Sequence, residues 1–249
     1  MVFFTCKVHS RILGRATTVH FYVPEVLGAD MPVLYLLHGM HGHPRSWGET
    51  TPLARVVDEQ GLVVVMPDAA NSFYCNMHSG ERYEDFIVEE LPSIVARYFP
   101  ITQSREKSFL MGFSMGGYGA FKLALNHPDR YVAAASLSGC LDIIADFDED
   151  GWDGYAEAIW GENYRDVVPN TPYDLLSVLA HYPSHEEKPF LYFCCGTEDF
   201  LYRENQSFLC HIKQSGFRFC YEEGSGTHDW QFVNRWCVPA LRQILSELS

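Results

Sequence analysis

The feature that most constrains this chain is a serine between two glycines, GFSMG, over residues 112–116. An apolar run over 108–111 precedes it and predicts a buried strand, whereas the residues over 115–126 predict a helix. Ser114 therefore lies at a strand-to-helix corner, where the flanking glycines leave room for a tight turn. This pattern is typical of a nucleophile elbow, which exposes a serine hydroxyl. The N–H groups at the start of the helix would favour a negatively charged oxygen there.

Continuous apolar runs elsewhere in the chain predict strands that are buried on both faces, as in a parallel sheet. With the run before the serine, these segments are residues 31–37, 62–66, 108–111, 131–137 and 189–195. Helical patterns alternate with them at about 50–60, 83–98 and 115–126, and further helices over 203–214 and 229–248 surround a last strand near 217–222. This alternation of strand and helix predicts a doubly wound α/β sheet.

Two segments depart from the alternation. Residues 2–9 and 16–23 alternate apolar and polar side chains around a glycine-containing turn, which predicts an antiparallel pair at the edge of the sheet. The segment over 140–187 separates two strands and is rich in aromatic and acidic residues, which predicts a short cap above the sheet. We therefore expect one α/β domain over residues 1–249, mostly parallel, with an antiparallel N-terminal edge and a cap-like insertion.

A serine hydroxyl needs a base to take its proton, so a histidine and an orienting carboxylate are expected at later strand ends. His228 lies in a glycine-rich loop before the last helix and is the candidate base, whereas His211 lies inside a predicted helix. Asp199 follows the strand that ends near residue 195 and is the candidate acid, with Glu198 as its competitor. Asp229 is poorly placed to orient the ring of its own neighbour, and we expect it to cap the last helix.

Two backbone N–H donors have to stabilise the oxyanion of a tetrahedral intermediate. Met115, directly after the serine, supplies one, and Met40 supplies the other from the HGMHGH loop that follows the strand over 31–37. The three histidines of that loop raise the alternative of a metal site. Since no Cys, Asp or Glu completes a ligand set nearby, we expect a turn of backbone donors and no catalytic metal.

The segments LLHGMHG, GFSMGGYGA, CGTEDFLY and GTHDW together resemble the putative-esterase branch of the α/β-hydrolases. That branch includes tributyrin esterases, S-formylglutathione hydrolases, and feruloyl and acetyl-xylan esterases, and the chain is most similar to small intracellular tributyrin esterases. The resemblance implies the α/β-hydrolase fold and a serine carboxylesterase that forms an acyl-enzyme without a cofactor. It also implies particular roles for five residues: the triad Ser114, Asp199 and His228, and the oxyanion donors Met40 and Met115.

Two other kinds of function stay open. A thioesterase of the S-formylglutathione hydrolase type, or an acyltransferase, would use the same triad. The resemblance argues against the thioesterase, because those enzymes typically carry a cysteine where this chain has Gly42. A catalytically inactive hydrolase fold that serves as a binding protein is disfavoured by the complete set of predicted catalytic groups.

Charge and aromatic residues bear on the partners. The chain has 18 Lys and Arg against 32 Asp and Glu, a net charge of −14, which disfavours nucleic acid and anionic membranes and favours a neutral ester. Aromatic side chains near the motif loops predict an apolar pocket for short-chain or aromatic-acid esters, and the candidates are Trp47, Phe73, Trp160 and Trp230. The scattered cysteines and the lack of a membrane-spanning segment in the sequence indicate a cytoplasmic protein. The sequence leaves open whether the protein forms a homo-oligomer.

The acidic segment over 146–157 matches the expression for a calcium-binding loop. The acidic ligand positions of that expression hold Asp146, Asp148, Asp150 and Glu157, and its turn glycine is Gly151. No clear helix enters the segment, no second loop of this kind pairs with it, and Asp153 occupies a position that is usually aliphatic. We interpret the segment as a solvated acidic loop, with a structural Ca²⁺ as the alternative.

Overall fold

The computed structural model describes residues 2–101, 104–148, 153–185 and 187–248. Its strands form one sheet. The strands of the sheet are β1 Val2–Ser10, β2 Arg15–Val23, β3 Val33–Leu37, β4 Val63–Pro67, β5 Ser108–Phe113, β6 Ala133–Leu137, β7 Phe190–Gly196 and β8 Phe219–Gly224. Their spatial order is β1-β2-β4-β3-β5-β6-β7-β8. The pair β1–β2 is antiparallel and joins β4 in the antiparallel sense, whereas β3 to β8 are parallel. The predicted α/β fold with an antiparallel edge is confirmed.

Helices cover both faces of the sheet. They are α1 Ser46–Thr50, α2 Leu53–Glu59, α3 Tyr83–Asp85, α4 Leu91–Val95, α5 Met115–Asn126, α6 Asp153–Trp160, α7 Tyr164–Val167, α8 Leu175–Ala180, α9 Tyr202–Ser215 and α10 Trp230–Leu245. Side chains of α5 and α9 belong to one apolar layer, and those of α2 and α10 belong to the other. No described helix combines the length and the apolar character that a membrane crossing requires.

The central strands are buried along their whole length. Every residue of β3, β4, β5, β6 and β7 is buried. Side chains on both faces of such strands are covered by helices, which is why these segments read as continuous apolar runs and not as alternating ones. Because β3, β5, β7 and β8 are parallel, the loops that follow them lie at one edge of the sheet, where ligands of open α/β sheets bind.

The segment over 140–187 lies between β6 and β7 and contains α6, α7 and α8. Phe147 and Tyr164 pack on each other with ring centroids 4.8 Å apart, and Trp160 packs on Phe147 at 5.7 Å. These three aromatic residues of the insertion therefore form part of the core. Residues 149–152 lie outside the described residues, so the calcium-loop interpretation over 146–157 stays untested.

A buried cation ties α5 to α3. The Lys122 side chain is fully buried and forms an ion pair with Glu84, whose carboxylate also lies 2.9 Å from His127 Nε2. Burial by itself would raise the pKa of Glu84, but the Lys122 charge and the hydrogen bonds from His127 and Lys122 outweigh it and lower the pKa to about 2. The folded-state pKa is thus below the ordinary value of 4.5. The pair stabilises the fold above pH ~4.5, and this contribution is lost as the pH falls towards 2.

Lys122→Met is expected to lower the free energy of unfolding by about 3–5 kcal/mol at pH 7, because it leaves the Glu84 carboxylate buried without its counter-ion. Urea unfolding measures the loss. The double variant Lys122→Met/Glu84→Gln should regain most of it, and its stability should fall less than that of the wild type between pH 4.5 and 2. A single variant that costs under ~1 kcal/mol would show that the pair carries no such role.

Candidate active site

Ser114 occupies a strained turn between β5 and α5. Its backbone has φ 58° and ψ −122°, and its N–H donates to Leu137 O at 3.0 Å. A Cβ at Gly112 would lie 2.1 Å from Gly116 O, and a Cβ at Gly116 would lie 2.2 Å from Leu37 O. Only glycine fits at these two positions, so the chain can turn sharply enough to hold the hydroxyl clear of the sheet. The structure therefore has the elbow geometry that the sequence predicts.

His228 and Asp199 meet at the ends of neighbouring strands. His228 Nδ1 lies 3.0 Å from each carboxylate oxygen of Asp199. The Asp199 side chain is fully buried, and its Oδ1 also accepts the N–H of Leu201 at 2.9 Å. A carboxylate at Nδ1 favours the tautomer with its proton there, which leaves Nε2 free to accept one. The arrangement suits a base that gains a positive charge during the reaction.

Glu198, the competing acid, faces a different group. Its carboxylate accepts the N–H of Gly226 at 2.5 Å and the hydroxyl of Ser225 at 3.3 Å. The hydrogen bond from Gly226 is the main cause that lowers the pKa of Glu198. Glu198 therefore anchors the loop that carries His228, and its described hydrogen bonds do not include one to the His228 ring. Asp229 accepts the N–H groups of Gln231 and Phe232 at 2.9 Å, as expected of the cap of α10.

Two phenylalanines pack against the imidazole of His228. The ring of Phe113 is stacked on it at 4.6 Å, and the ring of Phe200 lies 4.5 Å from it. Because Phe113 directly precedes Ser114, its contact holds the imidazole beside the elbow. The sequence reasoning missed both residues, although each is the immediate neighbour of a predicted triad residue. The Ser114 hydroxyl makes no hydrogen bond to a described residue, and such contacts often form only when substrate is bound.

The loop after β3 presents a backbone donor. A tight turn is closed by a hydrogen bond from Gly42 N–H to Gly39 O at 3.0 Å. His41 has φ 56°, and its N–H donates to Asn71 Oδ1 at 2.8 Å. Within the described part of the chain, the N–H groups of Met40 and Met115 make no hydrogen bond. Both predicted donors are therefore free to bind an oxyanion.

His38 fixes this loop from below. It is buried, its Nδ1 lies 2.8 Å from Gly39 O, and its Nε2 accepts the N–H of Ala69 at 3.1 Å. Burial lowers the pKa of His38, which favours the neutral ring that these two bonds require. Among the described residues, no group of three or more His, Cys, Asp or Glu side chains is arranged to hold a metal ion.

The four predicted substrate contacts lie at different depths. Trp47 is fully buried, and its indole N–H donates to Leu37 O at 3.0 Å. Phe73 and Trp160 are 2% and 7% exposed. These three rings belong to the core and offer little surface to a ligand in this conformation. Trp230 is half-buried and packs 5.4 Å from the ring of Phe113, so it is the one of the four that borders the triad.

Comparison with known proteins extends these observations. A family model described as "Putative esterase" matches residues 10–242. An acetyl esterase of Caldicellulosiruptor saccharolyticus is 30% identical, over 96% of this chain and 97% of that protein. A fluorophosphonate-binding serine hydrolase of Staphylococcus aureus has a similar structure, with a TM-score of 0.87 and 28% identity over 100% of this chain and 98% of that one. An S-formylglutathione hydrolase of the same organism has a TM-score of 0.85 and 29% identity over 100% and 99%.

Proposed function

Because this chain belongs to the putative-esterase family and is a serine ester hydrolase with the α/β-hydrolase fold, we propose that it cleaves small neutral carboxylic esters with short acyl chains. The observation that carries the mechanism is the contact of His228 with the buried Asp199 beside the Ser114 elbow. All the groups that the reaction needs are side chains or backbone N–H groups of this chain, so the proposal includes no cofactor. We further propose that tributyrin is among its substrates and that the protein acts in the cytoplasm.

Acylation begins at the elbow. His228 Nε2 takes the proton of the Ser114 hydroxyl as its oxygen attacks the ester carbonyl carbon. The negative charge that develops on the carbonyl oxygen is stabilised by the N–H groups of Met40 and Met115. Asp199 stabilises the imidazolium through Nδ1. His228 then gives the proton to the departing alkoxide, and the alcohol leaves an acyl group on Ser114.

Deacylation repeats these steps with water. His228 takes a proton from a water molecule, which attacks the acyl carbon, and the same two N–H groups again hold the oxyanion. The proton returns to the Ser114 oxygen as the carboxylic acid leaves. Ester and water are thus converted to alcohol and acid, and the enzyme is restored.

Charge and relatives support the substrate class. A net charge of −14 disfavours anionic substrates by long-range repulsion. The acetyl esterase that is 30% identical supports a short acyl group. The half-buried Trp230 beside Phe113 supports an apolar wall close to the triad.

Thioester hydrolysis is a second candidate function, because a solved structure at 29% identity is described as an S-formylglutathione hydrolase. Two observations favour the oxygen ester. The glutathione part of that substrate is anionic, which disfavours its approach to this chain. In addition, a Cβ at Gly42 would lie 2.8 Å from Gly39 O, so the turn of this chain has no room for a side chain there.

A series of 4-nitrophenyl esters from acetyl to palmitoyl tests the proposal. We expect kcat/KM to be highest at about two to six carbons, since each added methylene contributes ~0.8 kcal/mol, about fourfold, only until the pocket is full. Methyl ferulate and S-formylglutathione are measured in parallel. An optimum at twelve carbons or more, or a more than tenfold preference for the thioester, would refute the proposed substrate class.

A further inference from the structure

Phe200 is an exposed aromatic residue that contacts the catalytic base. Its side chain is 73% exposed, yet its ring centroid lies 4.5 Å from that of His228, with 45° between the ring planes. Isolated exposed apolar residues are ordinary on protein surfaces and need no functional reason. Phe200 differs because, of the large exposed apolar residues in the described part of the chain, it is the one whose ring packs on the triad.

The backbone around Phe200 is firmly held. Asp199 Oδ1 accepts the N–H of Leu201, and Asp199 O accepts the N–H of Tyr202 at 3.1 Å. Leu201, the next residue, is 3% exposed and anchors the turn in the core. The ring of Phe200 is therefore presented from a fixed turn, and one part of it rests on His228 while most of it faces solvent.

The chemistry determines which part of a substrate reaches this ring. In the tetrahedral intermediate the oxyanion faces the N–H groups of Met40 and Met115. The leaving oxygen has to receive its proton from His228 Nε2, so the alcohol group lies on the His228 side of the reacting carbon. The acyl chain takes the remaining direction. A residue that packs on His228 consequently borders the space of the leaving alcohol.

We propose that Phe200 forms the wall of an alcohol-side subsite, which favours esters whose leaving alcohol carries an aromatic or bulky apolar group; this rests on the proposed carboxylesterase function. An aromatic alcohol would cover the exposed ring and pack against it edge-to-face or offset. A small alcohol such as ethanol would leave the ring in water. Selectivity would thus arise during acylation, while the alcohol is still present.

The test compares esters that share an acyl group or share an alcohol. Benzyl acetate and ethyl acetate both release a primary alkoxide from the same acetyl group, but only the benzyl alkoxide carries a ring, whereas ethyl phenylacetate carries its ring on the acyl side. For Phe200→Ala we expect kcat/KM to fall about five- to tenfold with benzyl acetate and less than twofold with the other two esters. Phe200→Leu, which keeps apolar bulk, should lie in between. Tyr98→Ala, which removes a 74% exposed ring elsewhere, should change none of the three.

A second readout separates this role from support of the His228 ring. Hydrolysis of the acetyl-enzyme involves no alcohol, so its rate constant, from burst kinetics with 4-nitrophenyl acetate, should change less than twofold in Phe200→Ala, and the pH–rate profile should not move. The proposal would be overturned if kcat/KM fell equally with all three esters and deacylation slowed. It would also be overturned if the loss of kcat/KM depended on the acyl group and not on the alcohol. If the wild-type protein hydrolysed none of these esters, the carboxylesterase function itself would fail, and the subsite proposal with it.

Discussion

Ser114→Ala is expected to reduce kcat for ester hydrolysis by about 10⁵-fold, because it removes the atom that forms the acyl-enzyme. His228→Ala should cost a similar factor. The double variant should be no worse than either single one, since the two side chains act in the same step and their effects are not additive. Hydrolysis of 4-nitrophenyl acetate measures all three. The wild-type protein should also be labelled by a fluorophosphonate, and Ser114→Ala should not be.

Ser108→Ala is the matched control. Ser108 lies at the other end of β5 and bonds through its hydroxyl to Ser104 O at 2.9 Å. Its removal should leave both hydrolysis and labelling within twofold of the wild type. If Ser114→Ala retained more than about a hundredth of the wild-type kcat, or if it were still labelled, another residue would be the nucleophile.

The strands and the elbow could be predicted because local sequence determines them. Buried parallel strands require apolar residues on both faces, and each predicted run became a strand with ends shifted by two residues or fewer. The elbow requires glycine at 112 and 116, since any side chain there would collide with backbone. These requirements are local, so a single sequence shows them.

The helix predicted over 83–98 is not a single regular α-helix in the structure. The structure divides it into α3, a π-helical turn over Phe86–Glu90 and α4. Pro92 has no N–H to donate to Val88 O, so regular helical bonding is interrupted at this point. The Val88 carbonyl instead accepts a long hydrogen bond from Arg130, which lies far away in sequence. The apolar periodicity predicts the helical segment but not the change of hydrogen-bonding pattern within it.

The sequence does not distinguish aromatic residues of the core from those at the active site. Trp47 and Phe73 belong to the core, whereas Phe200 is exposed and its ring packs on the catalytic base His228. All three lie close to motif loops in sequence, and an aromatic side chain suits a core and a ligand pocket equally well. Only the depth of each ring below the surface separates the two roles, and that depth depends on contacts with distant elements such as α10.

The sequence also does not decide which of two adjacent carboxylates orients the ring of His228. Glu198 and Asp199 lie in the turn that follows β7, and neighbouring side chains point in different directions as the chain turns. One of them contacts His228 and the other binds Gly226. Both hold the same loop, so sequence position alone left the competitor open. Their different partners predict very different effects of removing each charge.

Asp199→Asn is expected to lower kcat by about 10³–10⁴-fold and to leave more activity than Ser114→Ala, because the nucleophile and the oxyanion donors remain. An amide at this position can donate to Nδ1, which would favour the wrong tautomer of His228 and would not stabilise the imidazolium. Glu198→Gln keeps an oxygen that can accept the Gly226 N–H, so it should cost no more than about tenfold. Steady-state kinetics from pH 5 to 8 compares the two variants. Since only a neutral imidazole can accept the Ser114 proton, general-base catalysis predicts a wild-type rate that is higher at pH 8 than at pH 5. If Glu198→Gln lost more kcat than Asp199→Asn, Glu198 and not Asp199 would be the orienting acid. A wild-type rate that fell steadily from pH 5 to 8 would contradict general-base catalysis by His228.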